Sequence, residues 1–176
     1  MSLYVNVKTE KNLVFILNGI YYGIPALKMK GITSFKQVSI NPTNSTFFKD
    51  IAMVNSEIIP VFDISPILNI PCNEHSEWNS VVLIKANIQG TERFFGIVTN
   101  PILDLLDIST IENVDSSINN YKNTVSNNVI EKFGKVDDKT VAILDTDKIA
   151  NSKLVIDFFN NDYENLVNEL LKKELK

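Results

Sequence analysis

Apolar residues in this chain come in short runs broken by polar corners, and the most informative stretch is Phe47 to Ile64. One run ends at Val54, a corner follows at Asn55, Ser56 and Glu57, and a second run begins at Ile58. Short apolar runs around a polar break predict two buried strands joined by a tight turn. Pro60 has no amide hydrogen to donate, so its strand is expected at an edge or with a bulge. Asp63 is placed to stop the strand and to cap a short helical turn beginning near Pro66, since proline suits a first helical position.

The same rhythm runs along the rest of the chain. Leu13 to Leu17 reads as a strand, Asn18-Gly19 as a hairpin turn, and Ile20 to Ile24 as the return strand before Pro25. Met29 and Ile32 lie three apart, which suggests a helical turn over Ala26 to Lys30. Val38 to Ile40 is a short strand candidate and Asn41 to Thr46 a polar loop. Ile70 to Asn79 is a connector holding Cys72, His75 and Trp78. Ser80 to Ala86 and Arg93 to Thr99 predict a second hairpin around Gly90. Pro101 to Leu106 resembles the segment after Pro25, and Ile111 to Asn128, rich in Asn and Ser, reads as a surface loop. Val129 to Val136, a turn at Asp137-Asp138, and Thr140 to Leu144 close the pattern.

The two halves repeat. Tyr22-Gly23-Ile24 is echoed by Phe95-Gly96-Ile97, and Ile59 to Asp63 by Val141 to Asp145. A repeat of this length predicts two similar small β-units rather than a solenoid, and many short strands favour barrels over a parallel α/β sheet. The expected organisation is one domain over residues 1–156, with subdomains near 13–70 and 80–150, and a helix over 157–176. Exchange of a terminal strand between the subdomains stays open. The helix follows from the stripe Tyr163, Leu166, Val167, Leu170, Leu171 and Leu175, which either packs on the barrels or recruits a partner.

Composition narrows the function. The 176 residues are 44% hydrophobic, with 17 basic and 21 acidic side chains for a net charge of −4. Without a basic stripe, nucleic-acid binding is not expected. No run reaches the roughly 20 apolar residues that span a bilayer, and the first residues lack the charged start and apolar core of a signal peptide. A single cysteine fits a reducing compartment, so the expectation is a cytoplasmic protein without direct membrane insertion. Cys72 and His75 alone cannot close a four-ligand zinc site. Asp63 and Asp145 could be paired carboxylates, but a repeated Asp after a strand more often caps the next turn. No cofactor-binding motif is present, and no enzyme is expected.

These marks together resemble the CheW family of bacterial chemotaxis coupling proteins. Leu13 to Pro25 is similar to that family's opening strand pair, and Phe48 to Ile64 to its central "IKGVINLRGxIIPVxDL" motif. Phe95 to Asn100 is similar to its "GLVVD" strand, and Phe133 to Asp145 to its closing strand pair. The resemblance implies two SH3-like five-stranded β-barrel subdomains with short helical turns; the C-terminal helix past Asp157 lies outside it. It implies a non-catalytic, cofactor-free adaptor coupling methyl-accepting chemoreceptor tips to the regulatory domain of the CheA histidine kinase in arrays at the inner face of the membrane. Carried over by position, the implied contact residues are Met29, Gly31, Ile32, Asp50, Asn55, Ser56, Val82 and Gly96. The family pattern has Gly at Asp50 and Arg-Gly at Asn55-Ser56. Losing the guanidinium removes a charged fork suited to carboxylates, while Asn and Ser still suit a turn. The rival expectation is a small β-barrel module binding a peptide or ligand outside chemotaxis.

Overall fold

The computed structural model describes residues 9–34, 47–71, 80–99, 102–110, 121 and 128–174. Its strands are β1 (Thr9–Leu17), β2 (Ile20–Pro25), β3 (Met29–Ser34), β4 (Phe48–Val54), β5 (Glu57–Phe62), β6 (Ser80–Ile88), β7 (Thr91–Thr99), β8 (Ile102–Thr110), β9 (Ile130–Val136) and β10 (Lys139–Leu144). A 3₁₀ turn at Ala26–Lys28 separates β2 from β3. The helices are α1 (Ser65–Leu68), α2 (Thr146–Ala150), α3 (Lys153–Asn161) and α4 (Tyr163–Glu174). The chain is mainly β, as the apolar rhythm predicts. No described helix is long and apolar enough to cross a membrane.

The expected hairpin corners form. Asn18 and Gly19, Asn55 and Ser56, and Gln89 and Gly90 all take positive φ, the backbone signature of turns that match strand twist. Pro60 sits inside the sheet rather than at its edge, opposite Ile51 on β4. On its other side the β7 pairing begins only at Val61, so the missing amide hydrogen costs no ladder bond there. Asp63 Oδ1 accepts from Ser65 N at 2.9 Å, and Asp145 Oδ1 from Lys148 N at 3.0 Å. Asp145 is the N-cap of the helix that follows it, whereas Asp63 makes a local turn two residues on, with Ile64 at the cap of α1.

Strand order corrects the division into sequence halves at 13–70 and 80–150. One sheet is a closed barrel, β1-β2-β10-β9-β8, and the other has the order β3-β6-β7-β5-β4. Each therefore joins the first hairpin of one half to the last three strands of the other. The 3₁₀ turn after Pro25 carries β3 away from β2 and onto β6, and β8 leaves β7 for β1 in the same way. The hydrophobic pattern marks where strands lie but not which neighbour each chooses. Of the segment resembling the one after Pro25, Ile102 to Leu106 lies in β8, as Met29 onward lies in β3. The candidates Val38 to Ile40, Asn41 to Thr46, Cys72, His75 and Trp78, and most of Ile111 to Asn128, lie outside the described residues.

Because successive strand residues face opposite sides, each sheet feeds two apolar clusters. Val82 and Ile84 of β6 join the large core with Phe15, Tyr22, Phe48, Phe62 and Leu144. Val81 and Leu83 join a small cluster with Ile59, Val61 and Val98. The barrel has a counterpart in Val14, Ile108, Val141 and Ile143. At Gly134 the barrel cluster leaves no room for extra atoms. A Cβ built on Gly134 would lie 2.0 Å from Ile108 Cγ2 and 3.2 Å from the Ser109 carbonyl oxygen. Gly134→Ala is therefore expected to destabilise by about 1–3 kcal/mol through overpacking, read as a lower urea midpoint at unchanged slope.

Barrel closure between β2 and β10 rests on a parallel pairing at Tyr22 and Gly23. Tyr121 reinforces it, its hydroxyl lying 2.9 Å from both the Tyr21 and Thr140 carbonyl oxygens. Burial, reinforced by the nearby Tyr22 hydroxyl, raises its pKa above the ordinary tyrosine value, so the proton stays in place to donate.

The C-terminal helical segment starts earlier than the apolar stripe suggests, at Lys153, and divides at Asp162. Phe158 stacks on Phe48 with centroids 5.0 Å apart and meets the Phe62 ring edge-on at 5.0 Å. Leu166 is buried against the same core, while Leu171 stays half exposed. The helices thus cover the aromatic face of the second sheet.

Candidate partner-binding surface

The residues implied by the resemblance fall into two groups once placed. Met29, Gly31 and Ile32 lie along β3, opposite Ile84, Leu83 and Val82 of β6. Met29 is half-buried on the large core. Gly31 has open space where a side chain would start, and Ile32 is 48% exposed. Between Met29 and Gly31 the register shifts, which takes Lys30 out of the ladder, as a bulge does. The Lys30 ammonium lies 3.6 Å from the Phe94 ring centre and 2.7 Å from Glu57 Oε2.

That ion pair matters for the site because Glu57 directly follows the exposed Asn55-Ser56 turn. β3 and the turn come from opposite edges of the sheet, and Lys30 draws them into one rim. Ser56, at φ 66°, stands where the family pattern has glycine, so the turn keeps its shape with a residue that seldom adopts it.

The second group is not available to a partner. Val82 is fully buried, Gly96 lies inside the sheet, and Asp50 is 1% exposed. Asp50 Oδ1 accepts from Ile51 N at 2.7 Å. A Cβ on Gly96 would meet Val81 Cγ1 at 2.7 Å and Val61 Cγ2 at 3.0 Å, so this glycine allows the strands to pack. Val82 is the ladder partner of Ile32 on the neighbouring strand and lies in the large core rather than at the surface. Matching by position cannot tell a contact residue from the neighbour that holds it in register.

Leu27 and Met53 are among the exposed apolar side chains that the sequence pattern does not single out. Leu27 is 96% exposed and Met53 is 55% exposed. Leu27 sits in the single 3₁₀ turn between β2 and β3, too short to turn an apolar face inward. Met53 sits near the β4–β5 turn, on the face of β4 opposite Ala52 and Val54. The signal for Leu27 was its place between two strands, in a turn with no room for a core face.

Polar contacts hold that turn from behind. Asp147 of α2 takes Lys28 Nζ on Oδ2 at 3.2 Å and Asn87 N on Oδ1 at 3.1 Å. One helical turn on, Asn151 donates to the Asn87 carbonyl at 2.6 Å and accepts from Gln89 N at 3.1 Å. α2 thereby ties the 3₁₀ turn to the β6–β7 corner. Among the described residues no three His, Cys, Asp or Glu side chains gather closely enough to hold a metal.

The family model for the CheW-like domain matches residues 11–154. The chain belongs to the CheW-like family. The match stops inside α3, so α4 lies beyond the CheW-like domain. A chemotaxis protein CheW of Klebsiella aerogenes is 23% identical over 144 residues, covering 82% of this chain and 83% of its own length. Scaffolding protein TtCheW from Thermoanaerobacter tengcongensis shares the fold, with a TM-score of 0.62 and 17% identity over 87% of this chain and 95% of its own.

Proposed function

We propose that this CheW-like chain is a non-catalytic chemotaxis adaptor. It bridges the cytoplasmic tips of methyl-accepting chemoreceptors and the regulatory domain of a CheA histidine kinase, and so works at the inner face of the membrane. The observation that carries this reading is the β3 rim. Ile32 stays half exposed on β3, and Leu27 is exposed in the 3₁₀ turn that leads into it. Exposed apolar side chains on ordered elements are what a protein partner buries. The paired carboxylates Asp63 and Asp145 each accept from a backbone amide of the segment that follows, Ser65 N and Lys148 N. We assign the β3 rim to the kinase and the Asn55-Ser56 turn to the receptor.

The receptor side has its own test. Asn55 points outward from the turn at φ 49°, where the family pattern has arginine. Asn55→Arg is expected to strengthen binding to a receptor-tip fragment several-fold by supplying a charged fork for a carboxylate. It should also cost about 1 kcal/mol of stability, because asparagine tolerates positive φ better than arginine. Unchanged or weaker binding in a folded variant would show that this turn is not the receptor contact.

A further inference from the structure

The barrel and the second sheet follow one plan but end differently. In the sheet, Lys30 leaves the ladder, reaches over Phe94 and pairs with Glu57. Its side chain is only 22% exposed. A ring face and a carboxylate share one ammonium, an arrangement favoured when both are partly desolvated.

The same positions can be located in the barrel from its registers. Ile102 and Asp104 oppose Phe15 and Val14 as Met29 and Gly31 oppose Ile84 and Leu83, so the residue out of the ladder is Leu103. Gly23 and Gly96 hold the parallel contacts to Ile143 and Val61, which puts Tyr21 in the place of Phe94. The β9–β10 ladder matches β4–β5. Asp137, Asp138 and Lys139 therefore stand where the sheet has Asn55, Ser56 and Glu57.

The barrel end thus keeps the aromatic ring and gains two carboxylates, while its looped-out residue is a leucine with no ammonium to offer. A cavity of about 390 Å³ opens there, walled by Val14, Tyr21, Leu106 and Val136 and rimmed by Asp137 and Asp138. Val14 belongs to the inner apolar cluster and the other three walls pack against it. Tyr121 fixes the rim through the Tyr21 and Thr140 carbonyls. The rim's own cation, Lys139, lies 5.9 Å from the Tyr21 ring centre, at the outer limit of a cation–π contact.

We infer that the barrel mouth receives a lysine side chain from a partner protein. The stem lies on Val14, Leu106 and Val136, and the ammonium sits between the Tyr21 ring and the Asp137 and Asp138 carboxylates. A lysine suits this shape because its apolar stem can be buried while its head stays at a charged rim. The site is on the barrel and the β3 rim is on the second sheet, so this inference does not depend on the adaptor reading.

The test is an amide NMR titration of the full ¹⁵N-labelled chain with Nα-acetyl-lysine-N-methylamide, beside the same probe acetylated on Nε. Saturable shifts at Tyr21 and Val136 to Lys139 are expected, with a Kd of about 1 mM, and none with the Nε-acetylated probe. Asp137→Asn with Asp138→Asn should weaken binding about tenfold, the scale of a lost charge-assisted hydrogen bond. Asparagine accepts the positive φ of position 137, so the fold is retained. Lys139→Ala should tighten binding by removing the internal competitor. Equal shifts with the acetylated probe, shifts centred elsewhere, or unchanged binding in the double variant with a native-like spectrum would overturn the inference.

Discussion

Phe62→Ala is expected to lower the unfolding free energy by about 3–5 kcal/mol, the cost of removing a large buried aromatic side chain. Phe62 is fully buried and touches both the β core and the C-terminal helices. Its ring stacks on Phe47 at 4.5 Å and meets Phe158 edge-on at 5.0 Å. Phe48, Phe95 and Phe159 lie 6.1–6.4 Å away. No neighbour can fill the hole without leaving another ring, so the cavity persists. A domain of this size is stable by about 5–15 kcal/mol, so the loss removes a large share of the margin. Urea unfolding followed by circular dichroism would measure it. Leu171→Ala, at a half-exposed site on α4, serves as the control, with a change within about 0.5 kcal/mol. Comparable losses at both positions would mean that the core does not centre on Phe62.

The second large effect is on binding. Ile32→Arg is expected to weaken association with the kinase regulatory domain by at least about 30-fold, or roughly 2 kcal/mol, the scale of an interface anchor. Ile32 is half exposed, so an arginine there can reach solvent and the fold should survive. Ile32→Thr keeps the β-branched shape and should cost less binding than arginine while leaving the strand intact. Val82 cannot serve as a matching test. It is fully buried beside Ile32 on the next strand, so a polar side chain there would unfold the sheet before reporting on a contact. If Ile32→Arg bound the kinase domain normally, the β3 rim would not be the kinase face.

Much of the fold was legible because period-2 alternation and turn chemistry act locally. Asn18-Gly19 and the Asn55-Ser56 corner could be placed from their own residues, and Asp145 caps a helix as its position after a strand suggests, while at Asp63 the cap falls one residue later, on Ile64. The exchange of hairpins between the sheets was not legible. It depends on where β3 goes after the Ala26–Lys28 turn, and no short-range pattern encodes that choice. The candidate surface divides in the same way. Ile32 and Asn55 are exposed because both sit on the outside of local elements. The burial of Asp50 and Val82 was not legible, since burial is decided by packing between distant parts of the chain. Lys30 was unreadable for a related reason: its role appears only when β3 is brought beside Phe94 and Glu57 from distant parts of the chain.

The most direct test of the adaptor account is calorimetric titration of this protein into the isolated regulatory domain of its own organism's chemotaxis kinase. The account predicts saturable one-to-one binding at micromolar Kd or tighter, about −8 kcal/mol or better. The absence of binding to a demonstrably folded kinase domain would contradict it. The chain would then keep the CheW-like fold while serving as a β-barrel module for a different peptide or ligand.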